Sequence, residues 1–193
     1  MPTEVPAVAD AEIAAAVFTD HLARIEAAEQ ARANGWHFTR LDPLHAVVTV
    51  TAVRPSGERD TYHVKLGGEY YDTYPPTTAF VCPPRPALAD RPAREGWIEA
   101  PQGSRWLPTL NSLEWFAIHA AYSFPNSVAN APDGVPRQLV CCSMTFEYYI
   151  SGHNPTPGQR WQQGRHTLGA TLTRIQDALT SPSYQGPSGV VDP

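Results

Sequence analysis

The sequence predicts an α+β domain from three observations. An amphipathic helix opens the chain, a set of β-branched runs separated by tight turns follows, and a second amphipathic helix lies near the end. Between the last two is an irregular stretch that carries two adjacent cysteines. The chain has 193 residues, with 14 basic and 19 acidic side chains and a net charge of −5. That length is enough to bury about 70% of the unfolded surface in a single core. The 20 prolines are roughly twice the usual share, but with 13 glycines they make 33 of 193 residues, short of the ~25–30% that marks a structureless chain. Proline-punctuated loops are expected, and a pure helix bundle is not.

Asp10 to Asn34 reads as the first helix. Ile13, Val17, Leu22 and Ile25 supply its apolar face, Asp10 can cap it and Gly35 stands where a left-handed stop is wanted. Arg24, Glu26, Glu29 and Arg32 fall on the wet face. His45 to Val53 is the first predicted strand, Thr61 to Leu66 the second after the Arg54–Glu58 turn, and Thr77 to Cys82 the third, introduced by Tyr74-Pro75-Pro76. Three strands on short turns imply an antiparallel meander packed on a helix. Gly67-Gly68 has no helix after it and reads as a turn, not a phosphate cradle.

Arg85 to Asn111 is placed in loops pinned by Trp97 and Trp106, and Leu113 to Tyr122 is short helix or extended chain. Leu139 to Ile150 reads as a strand from its alternation at Met144, Phe146, Tyr148 and Ile150. Leu168, Leu172, Ile175 and Leu179 make the clearest helix, with Thr167 as cap and Pro182 beyond its end. The expected division is an extension over 1–9, the domain over 10–182 and a mobile tail over 183–193.

Several function classes drop out. An acidic chain lacks the basic field that replaces phosphate counterions, so nucleic acid is not an expected partner. No window of ~18 apolar residues occurs, so no membrane span is expected. Glu4, Asp10 and Glu12 precede any basic residue, the reverse of a secretory leader. Three cysteines in no framework spacing suit a reducing cytoplasm. Cys141, Cys142, His153 and His166 make a poor zinc set, because adjacent cysteines chelate badly. No metal or cofactor is expected. Lys65 is the only lysine, so the chain offers one side-chain amine for modification. Cys82 reads as core, and Asp133, before Gly134, as a turn residue first and as a group to orient an amine acceptor second.

Taken in order, Tyr74-Pro75-Pro76-Thr77-Thr78-Ala79-Phe80, then Phe124-Pro125-Asn126, then Leu139-Val140-Cys141-Cys142, then Trp161 and the helix over Leu168 to Leu179 resemble the ubiquitin-conjugating (E2, UBC-like) family. The family has a comparable Tyr-Pro segment, a His-Pro-Asn motif, a Gly-x-Ile-Cys-Leu segment, a Trp and a closing helix. Here phenylalanine stands for the histidine. Asn126 lies 15 residues before Cys141 and Trp161 lies 20 after it, both longer than in eukaryotic members. In this the chain is similar to divergent bacterial E2-like proteins that occur with ubiquitin-like modifiers and E1-like activators.

The resemblance implies a UBC-like fold and a transferase that accepts a ubiquitin-like modifier from an E1-like activating enzyme as a cysteine thioester. The first helix, with Arg24 and Arg32, would help dock the activator. A thiolate takes an acyl group from another thioester with little change in bond energy and yields it to an amine. The implied nucleophile is Cys141, which follows Val140 as the family cysteine follows Ile or Val. Cys142 is the neighbouring alternative, in phase with Met144 and Phe146. Asn126 is the implied oxyanion donor, a role worth about 2.7–4 kcal/mol in acyl-transfer sites. His153 is placed to face the thiol as base or to cap a turn. Two plainer readings stay open. Both cysteines can be small buried hydrophobes, and the domain can be a catalytically inactive E2-like (UEV-type) module that holds a ubiquitin-like protein.

Overall fold

The computed structural model describes residues 6–111, 113–124 and 136–193; Asn126, Asp133 and Gly134 lie outside the described residues. The architecture is α+β. Helix α1 spans Ala11–Ala27 and α2 Glu29–Asn34. The Asp10 carboxylate accepts the amides of Glu12 and Ile13, both at 3.1 Å, as a cap should. The buried stripe is Ala14, Phe18, Leu22 and Ile25, whereas Ile13 is exposed. The single helix expected to reach Asn34 breaks at Ala28, whose backbone is extended. The break re-aims α2 so that Ala31 faces the core, and Gly35, at φ +65°, turns Trp36 inward after it.

Strands β1 (His37–Asp42), β2 (His45–Val53), β3 (Arg59–Gly67), β4 (Thr77–Cys82) and β5 (Ile98–Glu99) form one antiparallel sheet in sequence order. The register aligns Val48 with Val64 and Val64 with Phe80, so one apolar row crosses three strands. Strand β1 was not anticipated, because it is an edge strand exposed along nearly its whole length and shows no alternation. Against the sheet's inner face pack α1 and α4 (Leu168–Leu179), with Leu168, Leu172, Ile175 and Leu179 all fully buried. A buried polar bridge ties the layers: the Trp36 indole donates to Gln176 at 2.8 Å, and Gln176 donates to the Thr51 carbonyl at 2.8 Å. Thr167 takes the N-cap place of α4 but its side chain makes no capping bond.

Two smaller antiparallel pairs complete the fold. Strand β6 (Pro108–Leu110) pairs with β9 (Tyr184–Pro187), and β7 (Ala117–Tyr122) with β8 (Arg137–Cys141). Leu113 to Tyr122 therefore ends in extended chain. Trp97 and Trp106 do pin the long loop, each ring 5.1 Å from His63 on the sheet's outer face.

Two further expectations are corrected. The strand expected over Leu139 to Ile150 stops at Cys141 and is followed by a turn and helix α3 (Phe146–Ile150). The Thr145 hydroxyl makes this turn, reaching the carbonyls of Val140 at 2.6 Å and Cys142 at 2.9 Å. Phe146 and Ile150 then share one helical face. The tail over 183–193, expected to be mobile, is docked. The Tyr184 hydroxyl is buried, 2.6 Å from that of Tyr62, and donates to Asp60 at 2.7 Å. Asp192 accepts from Arg94 at 2.9 Å and Trp106 at 3.0 Å. Anchoring depends on single long-range contacts, which a Gly/Pro/Ser composition does not display.

Candidate functional site

Cys141 ends β8, paired across the hairpin with Ala117 of β7. Alternation along the strand sends neighbouring side chains to opposite faces. Val140 and Cys142 enter the main core, and Cys142 is 1% exposed. Cys141 is turned the other way, 7% exposed, beneath the segment that follows α3. The two sequence candidates are thus separated: Cys142 packs and Cys141 has a polar neighbour.

That neighbour is His153. The Cys141 Sγ lies 3.8 Å from Nε2 and 3.9 Å from Nδ1. The imidazole is exposed on its outer side and stacks on Tyr148 of α3, ring centres 4.6 Å apart. A short relay bears on its tautomer. When the Ser151 hydroxyl gives its one proton to the Tyr148 carbonyl at 3.1 Å, its oxygen accepts from His153 Nδ1–H at 2.8 Å. In that arrangement Nε2 carries the lone pair. The Tyr122 hydroxyl holds the Ser151 carbonyl at 3.2 Å, tying the relay to β7. Tyr149 braces the same segment by donating to the Ser143 carbonyl at 3.0 Å and accepting the Trp161 amide at 2.7 Å.

Burial dominates the electrostatics. It pushes the Cys141 thiol up to about 11, with the Glu147 carboxyl adding to the rise. It pushes Cys142 up to about 12 despite bonds from the Met144 amide and Thr145. Both thiols rest protonated at neutral pH, so nucleophilic chemistry at Cys141 requires Nε2 to accept the proton as the thiol attacks. Beside the imidazole, a groove of about 720 Å³ runs between Tyr74, Tyr149, Trp161, Arg160 and His153. It brings one cation and three aromatic rings alongside His153, while Cys141 itself does not line it.

Among the described residues, the structure brings together Cys141 and His153 and sends Cys142 into the core; Asn126 lies outside them. His166 sits apart, its Nδ1 accepting the Gln162 amide at 2.9 Å. No group of three His, Cys, Asp or Glu side chains among the described residues could hold a metal ion. Cys82 is fully buried with the Ser104 hydroxyl 3.8 Å away. Sequence reasoning missed Ser151, Tyr148 and Tyr122. The Ser-Gly-His spacing carries a weak signal for Ser151, since a glycine turn lets the serine reach the ring two residues on. No helix among the described residues is long and apolar enough to cross a membrane. No family model, curated protein or solved structure matches the chain.

Proposed function

We propose that this chain is an E2-like acyl carrier, in which Cys141 accepts a ubiquitin-like modifier as a thioester from an E1-like activating enzyme and passes it to an amine. One observation carries the reading: the thiol of Cys141 lies 3.8 Å from the Nε2 nitrogen of His153. In the first step His153 Nε2 takes the thiol proton and the sulfur attacks the incoming thioester carbonyl. The new S–C bond forms, the activator's S–C bond breaks, and the activator's sulfur leaves as thiol with the proton. In the second step an amine attacks, the Cys141 S–C bond breaks, an amide forms and the amine's proton returns the sulfur to thiol. The order of a helix, the antiparallel meander with its Tyr74-Pro75-Pro76 segment, the cysteine and the closing α4 supports a UBC-like assignment. Arg24, in a pair with Asp20 at 2.8 Å, and Arg32 are exposed on α1 and α2, where the resemblance puts the activator.

The test is incubation with activator, modifier and ATP followed by a non-reducing gel. A thiol-sensitive adduct is expected, replaced by a stable ester in Cys141→Ser and unchanged in Cys142→Ala. An adduct that survives Cys141→Ala would refute the assignment. A second reading has its own observation. A thiol only 7% exposed and held protonated by burial suits an inactive E2-like module that holds the modifier without forming a bond to it. Capture of the modifier undiminished in a Cys141→Ala, Cys142→Ala double variant, with no adduct in the native protein, selects that reading.

A further inference from the structure

A second cleft, of about 460 Å³, lies over the outer face of β4 and meets a different side of α3 from the Cys141 pair. Thr77, Ala79 and Val81 form its floor. Tyr70 and Phe146, stacked with centres 3.9 Å apart and planes 11° from parallel, form one wall, with Trp97 and Phe124 further round. Among the described residues, the charged and titratable groups that face it are Glu69, Glu99, Glu147, Lys65, Arg137, His45 and Tyr70.

The carboxyls differ in how they are satisfied. Glu99 accepts the Gln138 amide at 2.6 Å, and Glu69 is bonded to His45 at 2.7 Å, whose other nitrogen meets Asp42 at 2.9 Å. Glu147 accepts the Thr78 amide at 2.8 Å through Oε1, and its own amide also acts on the carboxyl, while Oε2 is shut off from solvent with no hydrogen-bond partner among the described residues. A buried polar atom left unpaired costs about 1–3 kcal/mol, so an orphan oxygen beside the cavity points to a missing partner, a proton in the empty cleft or a donor from a ligand once the carboxyl is ionised. Thr77 touches Glu69 at 3.4 Å and Thr78 holds Glu147, so consecutive residues of β4 bring these two carboxyls to one end of the cleft. Lys65 sits further along, opposite Ala79, and Arg137 adjoins the Gln138–Glu99 contact. Lys65 makes no salt bridge among the described residues.

We infer that this cleft binds an organic cation, a primary ammonium on a short apolar stem, with the ammonium between Glu147 and Glu69 and the stem along the Tyr70–Phe146 pair. The ammonium gives Oε2 its donor, and the stem covers aromatic surface, where cations are also favoured. A metal ion is not the fit, since no ligand trio exists among the described residues. Burial first, then the neighbouring Glu69 and Glu99 charges, push the Glu147 carboxyl up to about 8, so it is largely protonated in the empty cleft at neutral pH. Cation binding favours the ionised form and so releases a proton.

The site does not depend on chemistry at Cys141, and the experiment keeps the two apart. The full chain is titrated calorimetrically with pentylamine, pentanol and pentanoate from pH 6 to 9, in buffers of differing ionisation enthalpy. Pentylamine is expected to saturate in the millimolar range, with the other two at least about tenfold weaker. Its affinity should climb with pH, by up to roughly tenfold per unit, and level off above pH 8. Close to one proton should be released at pH 7. Glu147→Gln keeps the Thr78 bond and should abolish proton release and flatten the profile between pH 7 and 9. Glu69→Gln should weaken pentylamine severalfold, and Cys141→Ala should change nothing. Pentanoate binding as well as pentylamine would make this an anion site of Lys65 and Arg137 and overturn the inference. So would unsaturable pentylamine, or wild-type binding without proton release, which would mean Glu147 is already ionised beside Lys65.

Discussion

The two halves of the molecule are held by different physics. The meander with α1 and α4 is apolar layer on apolar layer: alternate residues of β2, Ala46, Val48, Val50 and Ala52, are all fully buried against helix side chains. The arm formed by β7, β8, α3 and residues 151–161 enters that core through Val140, Cys142, Met144 and Trp161, and is tied elsewhere by side chains reaching for backbone. Gln138 alone bonds the Phe80 amide at 2.6 Å, the Phe80 carbonyl at 3.2 Å and the Ala100 carbonyl at 3.1 Å, doing for β8 what a missing strand would do. Thr145, Tyr149 and Ser151 behave alike. The apolar half should lose stability as one unit, whereas the polar arm can open bond by bond around Cys141.

The largest effect that tests this contrast is Phe80→Ala. Phe80 is fully buried between Tyr62 and the helix layer. Its truncation should cost about 3–5 kcal/mol and lower the urea midpoint measured by every probe together. Loosening confined to the arm would show that the meander is not the cooperative core.

Next in size is the pH response of Glu147, the acidic residue by which the arm grips β4. Its folded pKa of about 8 stands above the unfolded 4.5. A raised value stabilises fully below the unfolded pKa and is lost as pH rises through the folded one. Wild-type stability should therefore decline between pH 4.5 and 8, at up to about 1.4 kcal/mol per unit. Glu147→Gln should remove that decline and be the more stable protein at pH 9 by urea denaturation. Parallel curves for the two proteins would mean the carboxyl is ionised throughout, and the arm's grip would rest on a charge after all.

The same contrast explains what was legible in the sequence. The bounds of β2, β4 and α4 were readable because burial on one face imposes a period of two or of 3.6 on apolar residues. Strand β1 escaped because an exposed edge imposes no period. Helix α3 was misread because its five residues also satisfy alternation, and the Thr145 bonds that turn the chain before it leave no periodic trace. Of the candidate site, His153 was placed near Cys141 only as the residue after a strand expected to reach Ile150; the two do meet, but through the turn and helix that replace that strand. The serine that bears on its tautomer was not readable, since a relay of single hydrogen bonds has no pattern in composition. Glu147 was invisible for the converse reason: nothing in Phe-Glu-Tyr marks a carboxyl that folds away from water.

A smaller effect comes from Thr145→Val, which keeps shape and deletes the hydroxyl that ties the Val140 and Cys142 carbonyls. A cost of about 1–3 kcal/mol is expected. Iodoacetamide labelling followed by mass spectrometry should show Cys141 reacting severalfold faster while Cys82 stays protected. Equal acceleration at both cysteines would mean that arm and core open together.

The smallest change in stability, within about 0.5 kcal/mol as for other surface positions, comes from Ser151→Ala, and it asks what the imidazole does. Without the hydroxyl Nδ1–H loses that acceptor, so the tautomer with its lone pair on Nε2 is no longer favoured. At pH 8 the thiol, held near 11, reacts only through its small ionised fraction or through help from Nε2. Alkylation of Cys141 should slow about two- to fivefold in Ser151→Ala and further in His153→Ala, toward the ~10²-fold loss of a positioned base. The rate in His153→Ala should then rise about tenfold per pH unit up to roughly 11, the dependence of a thiol that ionises unaided. The opposite sign has an equally definite meaning. If both variants react faster than wild type, the ring stacked on Tyr148 acts as a cover over the sulfur, and the polar arm then serves to keep Cys141 closed, as an inactive binding module requires.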